Sequence, residues 1–151
     1  MSSLIGWENI LIDLNREVIE PNMAIRLWRD KKFWIQESLK LATELKASNY
    51  QLAIFTNSWL GLEDETNSDL LPDELSLFSH IVDSSKVGLR KPNPKFYKKL
   101  ESIIGATNDK ILLIDDTPIN LRIAQSRGWQ TFLFATNNNT VSTDKIRSML
   151  A

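Results

Sequence analysis

The chain has 151 residues, 42% of them hydrophobic and 25% charged, which is enough apolar side chain to close one real core and too much for a disordered polymer. A formal net charge of -1 leaves no basic field to hold nucleic acid or an anionic membrane, and zero cysteines remove disulfides, thiolate metal sites and thiol nucleophiles. A single histidine, His80, takes away most zinc, haem and Ser-His-Asp chemistry, so any catalysis would have to rest on carboxylates, hydroxyls and lysines.

The amino end, MSSLIGWENI, lacks a basic segment followed by a long apolar stretch, and no window reaches about 18 consecutive apolar residues. The expectation is a soluble cytoplasmic protein with one domain over residues 1–151. Five short apolar runs follow: Ile10–Leu14, Leu52–Phe55, His80–Val82, Ile111–Ile114 and Thr131–Phe134. Most are continuous rather than alternating, as in strands covered on both faces. Between them the spacing turns helical. Leu41 and Leu45 lie four apart, Phe96 to Ile104 continues the pattern, and Pro118 opens a run through Ala124 that stops before Gly128. Val141–Leu150 reads as a closing helix capped by Ser142 or Thr143. Alternating strands and helices predict an α/β fold, a doubly wound parallel sheet with helices on both faces.

Two stretches fit less well. Residues 63–69 are acidic and polar, a solvated loop, and residues 20–33 lack strand signals and form a candidate short lid. Asn137-Asn138-Asn139-Thr140 is a polar loop whose sequon match is a coincidence in a cytoplasmic chain.

In a doubly wound sheet, ligands gather beyond the carboxyl ends of the strands. Those ends carry Asp13, Thr56 with Asn57, and the adjacent pair Asp115 and Asp116, while SSKVGLRKPNP after the third strand offers Lys91. Two carboxylates side by side at the end of a buried strand repel each other and resist desolvation, so something cationic has to offset them. One task suits the set. A carboxylate attacks phosphorus, a hydroxyl and an ammonium hold the phosphoryl oxygens, and an acidic pair anchors Mg²⁺ against the same group.

Each element also has a plain reading. Asp115 and Asp116 could cap the helix that follows, Thr56-Asn57-Ser58 is ordinary turn composition, Lys91 before Pro92 could face solvent, and Asp13 could cap a loop. His80 belongs to a strand edge without a role. Order and spacing together favour the functional reading over any one residue alone.

SSKVGLRKPNPKFY followed by ILLIDDTPINLRIAQSRGW resembles the third and fourth motifs of the haloacid dehalogenase (HAD) superfamily of phosphatases. AIFTNSW resembles the second motif, and residues 7–21, WENILIDLNREVIEP, line up with the first. The resemblance implies a sheet in the order 3-2-1-4-5 and a Mg²⁺-dependent phosphomonoester hydrolase acting on a small-molecule phosphate ester. Asp13 would be the nucleophile that becomes an aspartyl phosphate. Thr56, Asn57 and Lys91 would bind the phosphoryl group, Lys91 also steadying the nucleophile. Asp115 would coordinate Mg²⁺ with Asp116 in support, and Asp13 and a backbone carbonyl near Asn15 would complete the shell.

The first motif departs from the family pattern Asp-x-Asp-Gly-Thr/Val, because Asn15 stands where the second aspartate protonates the leaving group. An amide shuttles no proton at neutral pH, and general acid–base help is typically worth about 10²- to 10⁴-fold in rate. Arg16 and Glu17 also replace the small residues of the turn. Three outcomes stay open: a slow phosphatase favouring good leaving groups, recruitment of Glu17 or another acid, or a scaffold that has lost the reaction. The interval from Asp13 to Thr56 is too short for a separate helical cap, which predicts an open site. If residues 1–35 were instead the tail of a cap, the first motif would be missing; Ile10–Leu14 as the central strand argues against that. Receiver domains share the chemistry, but they place the acidic pair first and the lysine last. The rival from another class is a catalytically impaired HAD-like binding or interaction module. Trp28, Trp34 and Trp59 near strand-end loops would suit a partner surface, oligomerisation included, although Trp34 and Trp129 fit the core as well.

Overall fold

The computed structural model describes residues 2–5, 36–57, 76–135 and 138–150. Its strands are β1 (Ser2–Ile5), β2 (Gln51–Thr56), β3 (His80–Asp83), β4 (Ile111–Asp115) and β5 (Gln130–Leu133). The helices are α1 (Gln36–Ala47), α2 (Ser84–Val87), α3 (Pro94–Ile104), α4 (Pro118–Ser126) and α5 (Asn139–Leu150). All strand pairs are parallel, in the order β3-β2-β1-β4-β5.

The central strand differs from expectation. Ser2–Ile5 fills that place, with Ile5 opposite Ile54 on one side and Ile114 on the other. Ile10–Leu14 lies outside the described residues, and Asp13 and Asn15 with it. The sequence misled for a physical reason: SSLI is short and opens on two serines, whereas ILIDL has the apolar length that a buried strand usually shows. The candidate lid at 20–33, the acidic loop at 63–69, and Trp28, Trp34 and Trp59 also lie outside the described residues.

Period-two alternation divides the buried side chains between two cores. Leu52, Ile54, Leu112 and Ile114 point to the face covered by α1 and α5, where Leu41, Leu45 and Ile146 meet them. Ala53, Phe55, Ile111 and Leu113 point to the other, covered by Phe96, Tyr97 and Leu100 of α3 and by Leu121 and Ala124 of α4. Burial on both faces explains why β2 and β4 are continuous apolar runs.

Helix ends follow their local chemistry. Asn93 caps α3 by accepting from the Lys95 amide at 3.0 Å, Pro94 occupies the first turn, and Gly105 closes the helix at φ +68°. The closing helix starts earlier than the spacing predicted. Asn138 accepts from the Val141 amide at 3.2 Å, and Ser142 and Thr143 are buried within the helix rather than capping it. Ser142 instead accepts from the Ala135 amide, and Thr143 bonds the Asn139 carbonyl. Trp129 is core, as its pattern suggested. Among the described residues no helix is long and apolar enough to cross a membrane.

Candidate active site

The parallel register brings the carboxyl ends of β2, β3 and β4 together, with Thr56 opposite Asp83 at the ends of β2 and β3. Asp115 ends β4, and the loop after α2 brings in Lys91. All four side chains are buried, an expensive arrangement for charges unless they are paired. Lys91 and Asp115 are only 2% and 1% exposed.

Lys91 does not face solvent. Its Nζ donates to Asp115 Oδ2 at 2.8 Å and to the Phe55 carbonyl at 2.9 Å, and it lies 5.1 Å from the centre of the Phe55 ring. The lysine is thus the cation that the acidic pair required. Its backbone is fixed as tightly. Asn57 Oδ1 accepts from the Lys91 amide at 2.7 Å and Asn57 Nδ2 donates to the Lys91 carbonyl at 2.9 Å. The Asn57 side chain thus clamps the lysine loop from both atoms of its amide.

Asp115 is held from three sides. Besides Lys91, the Thr117 amide donates to Oδ1 at 2.8 Å, and Asn120 Nδ2 lies 3.2 Å from Oδ2 and 3.4 Å from Oδ1. The plain reading of Asp115 as a helix cap is thus correct in part: it satisfies an amide at the start of α4 while pairing with the lysine. Asp116 sits differently. The residue is exposed and its Oδ1 accepts from the Thr117 hydroxyl at 3.3 Å. Its carboxyl is raised above the ordinary aspartate value, first by desolvation against the protein and then by the charge of Asp115.

Three contributors escaped the sequence reading. Asp83 accepts from the amide and hydroxyl of Ser85, both at 2.9 Å, capping α2 directly beside Thr56. Asn120 was hidden because its role depends on the strand-to-helix turn placing the third residue of α4 over Asp115. Tyr97 lies under the site: its hydroxyl donates to the Asn120 carbonyl at 2.7 Å. An Asp-Ser-Ser cap was legible in the sequence; the other two contacts were not.

The described residues contain no group of three or more His, Asp or Glu side chains placed to hold a metal. Asp115 and Asp116 are nevertheless a hard oxygen pair without sulfur or imidazole. Mg²⁺ characteristically takes one or two carboxylates and fills its shell with water and substrate phosphate, so this donor set fits that ion. The Asp116 carboxyl is raised first by desolvation and second by the charge of Asp115, and a divalent cation would offset the second.

Residues 24–134 match the haloacid dehalogenase-like hydrolase family. Bifunctional epoxide hydrolase 2 of Rattus norvegicus is 33% identical over 99 residues, which is 63% of this chain and 18% of that protein. The chain therefore spans about a fifth of the length of the curated relatives it matches. In fold it is similar to a HAD-superfamily hydrolase from Ehrlichia chaffeensis, with a TM-score of 0.69 at 16% identity over 99% of this chain and 97% of that one. A HAD family enzyme from Bacteroides thetaiotaomicron in complex with magnesium and inorganic phosphate gives 0.65 at 18% identity, over 91% and 95%.

Proposed function

Since the chain belongs to the haloacid dehalogenase-like hydrolase family, we propose that it is a Mg²⁺-dependent phosphomonoester hydrolase with Thr56 and Lys91 facing the phosphoryl group and Asp13 as nucleophile. The observation that carries this reading is the buried Lys91–Asp115 pair at the strand ends, beside Thr56. A similar fold solved with magnesium and inorganic phosphate supports the ligand class. Mg²⁺, held by Asp115 and Asp116, would supply positive charge against the phosphoryl oxygens. The geometry favours Asp116 as the directly accessible ligand, because both oxygens of Asp115 already accept hydrogen bonds.

In this reaction an Asp13 carboxylate oxygen bonds to phosphorus while the ester P–O bond breaks, and the leaving oxygen takes a proton. Water then hydrolyses the aspartyl phosphate and releases inorganic phosphate. Asn15 supplies no proton, so leaving groups that depart without one are favoured. Support for Asp13 and Asn15 comes from the motif resemblance, and support for Thr56, Lys91, Asp115 and Asp116 comes from geometry as well.

Two observations favour a second reading, a HAD-like binding or interaction module without turnover. The family match begins at residue 24, past Asp13 and Asn15. The central strand is Ser2–Ile5, and the next residue in sequence is Gly6, which carries no carboxylate. Mg²⁺-dependent release of phenolate from an aryl phosphate, by the native chain and by Asp13→Asn, separates the two. Turnover that needs both the metal and Asp13 is the expected outcome. Equal turnover by the variant would remove Asp13 as nucleophile, and none from a folded, Mg²⁺-binding native chain would favour the module.

A further inference from the structure

Tyr97 contacts a residue that holds each member of the Lys91–Asp115 pair. Its hydroxyl donates to the Asn120 carbonyl at 2.7 Å, and the Asn120 side chain in turn donates to the Asp115 carboxylate. Its ring meets the Phe55 ring edge-on, with centroids 5.2 Å apart and planes at 85°. Phe55 is the seat of the lysine, since its carbonyl accepts from Lys91 Nζ and its ring lies beneath the ammonium. Trp129 completes a triangle of rings, 5.3 Å from the Tyr97 centroid and 6.3 Å from that of Phe55. The ring is fully buried and locked in this aromatic group. The hydroxyl is a committed donor: burial, and then the charge of Asp115, push it well above the usual tyrosine range, so it stays protonated.

We infer that Tyr97 is a positioning residue for the Lys91–Asp115 pair, fixing the carboxylate through Asn120 and the ammonium through Phe55. The inference rests on reading Lys91 and Asp115 as the phosphoryl- and metal-facing groups. Its physical content is rigidity: two buried charges keep one geometry only if the atoms behind each cannot shift separately. A phenylalanine preserves the ring packing and loses only the hydroxyl bond to the Asn120 carbonyl in the first turn of α4.

The test is hydrogen exchange of the Lys91 ammonium, measured by NMR on metal-free protein carrying ¹⁵N-lysine. A buried ammonium with two acceptors exchanges slowly, and the rate reports how often the pair opens. Tyr97→Phe should speed that exchange about fivefold, the scale of one hydrogen bond's net contribution. Tyr50→Phe is the control. It deletes a hydroxyl bond of the same kind, to the Leu150 carbonyl at 3.1 Å, in the core on the opposite face of the sheet, and should leave the rate unchanged. An unchanged rate in Tyr97→Phe would overturn the inference, as would equal acceleration in both variants, since that reports loss of general stability. The measurement needs no metal and no turnover, so it decides the role of Tyr97 even if the protein hydrolyses nothing. If the phosphatase reading holds, Tyr97→Phe should also lower kcat while leaving KM near its native value, which Tyr50→Phe should not do.

Discussion

Two carboxylate–cation pairs on the same side of the sheet have nearly the same length and opposite characters. Lys91 meets Asp115 at 2.8 Å with both side chains almost wholly removed from water. Arg127 meets Glu101 at 2.7 Å with side chains 26% and 13% exposed, and the guanidinium engages both carboxylate oxygens while the Trp129 indole N–H donates to one of them at 2.9 Å. The second pair ties α3 to the turn before β5, with a planar fork on a carboxylate and water still close by. The first uses a lysine, a point charge on a flexible stem, in a place where desolvation costs several kcal/mol per ion. An apolar pair of similar volume would serve the fold as well there. A buried pair beside three strand ends, clamped through Asn57 and Asn120, is arranged for what it presents rather than for stability.

The largest expected effect comes from breaking the buried pair on one side only. Lys91→Met leaves a carboxylate at 1% exposure with hydrogen bonds but no counter-charge, and should cost about 3–5 kcal/mol in urea unfolding. Adding Asp115→Asn to the same chain removes the stranded charge and keeps an oxygen for the Thr117 amide. Most of the loss should return while Mg²⁺ binding does not. If the single variant unfolds at the native urea concentration, the pair is more open to water than its burial indicates, and the contrast with Arg127–Glu101 disappears.

The partly exposed pair should show itself through acid. Burial alone would raise the Glu101 carboxyl, but hydrogen bonds from Arg127 and Trp129, and then the charges of Arg127 and Lys98, outweigh it and hold the group below the usual glutamate value. A depressed folded-state value contributes stability above the unfolded glutamate pKa of about 4.3, lost as pH falls through the lower folded value. Unfolding measured from pH 6 to pH 3 should therefore fall more steeply for the native chain than for Glu101→Gln. At neutral pH that substitution should cost about 1.5–3 kcal/mol, the range for hydrogen bonds to a charged group. Parallel pH profiles would mean that Arg127 and Glu101 do not hold together in solution.

How much of this was legible in the sequence follows the same division. β2 and β4 could be read because burial on both faces leaves an unbroken apolar run, Thr56 and Asp115 because they end such runs, and Lys91 because it follows the third run in a fixed order. The central strand could not, since SSLI is flanked by stronger neighbours and gains its place only through pairing with β2 and β4. The position of Asn57 after β2 marks its neighbourhood, but its bonds to the Lys91 backbone were not legible. Two amide atoms against one backbone are a three-dimensional fact that composition does not carry. Tyr97 looked like one more apolar helix position, and its hydroxyl finds Asn120 only after α3 and α4 share a face of the sheet.

The smallest expected effect belongs to Asp116, and its sign is the informative part. A carboxyl raised above its unfolded value is a group whose ionisation works against folding, fully so above the folded pKa, with relief as pH falls and the proton returns. Asp116 is exposed, so water screens most of this cost and only a small change is expected. Asp116→Asn should therefore raise the Tm slightly in metal-free buffer at pH 7, where most surface substitutions lower it or do nothing. Added Mg²⁺ should reverse the order. On the proposed reading the native pair would gain stability by binding the ion, whereas the variant, without the accessible oxygen ligand, would gain less. A variant that is less stable in metal-free buffer would mean that the Thr117 hydroxyl contact outweighs repulsion from Asp115. Equal gains with Mg²⁺ would move the ion's carboxylate ligand to Asp115 or away from the pair altogether.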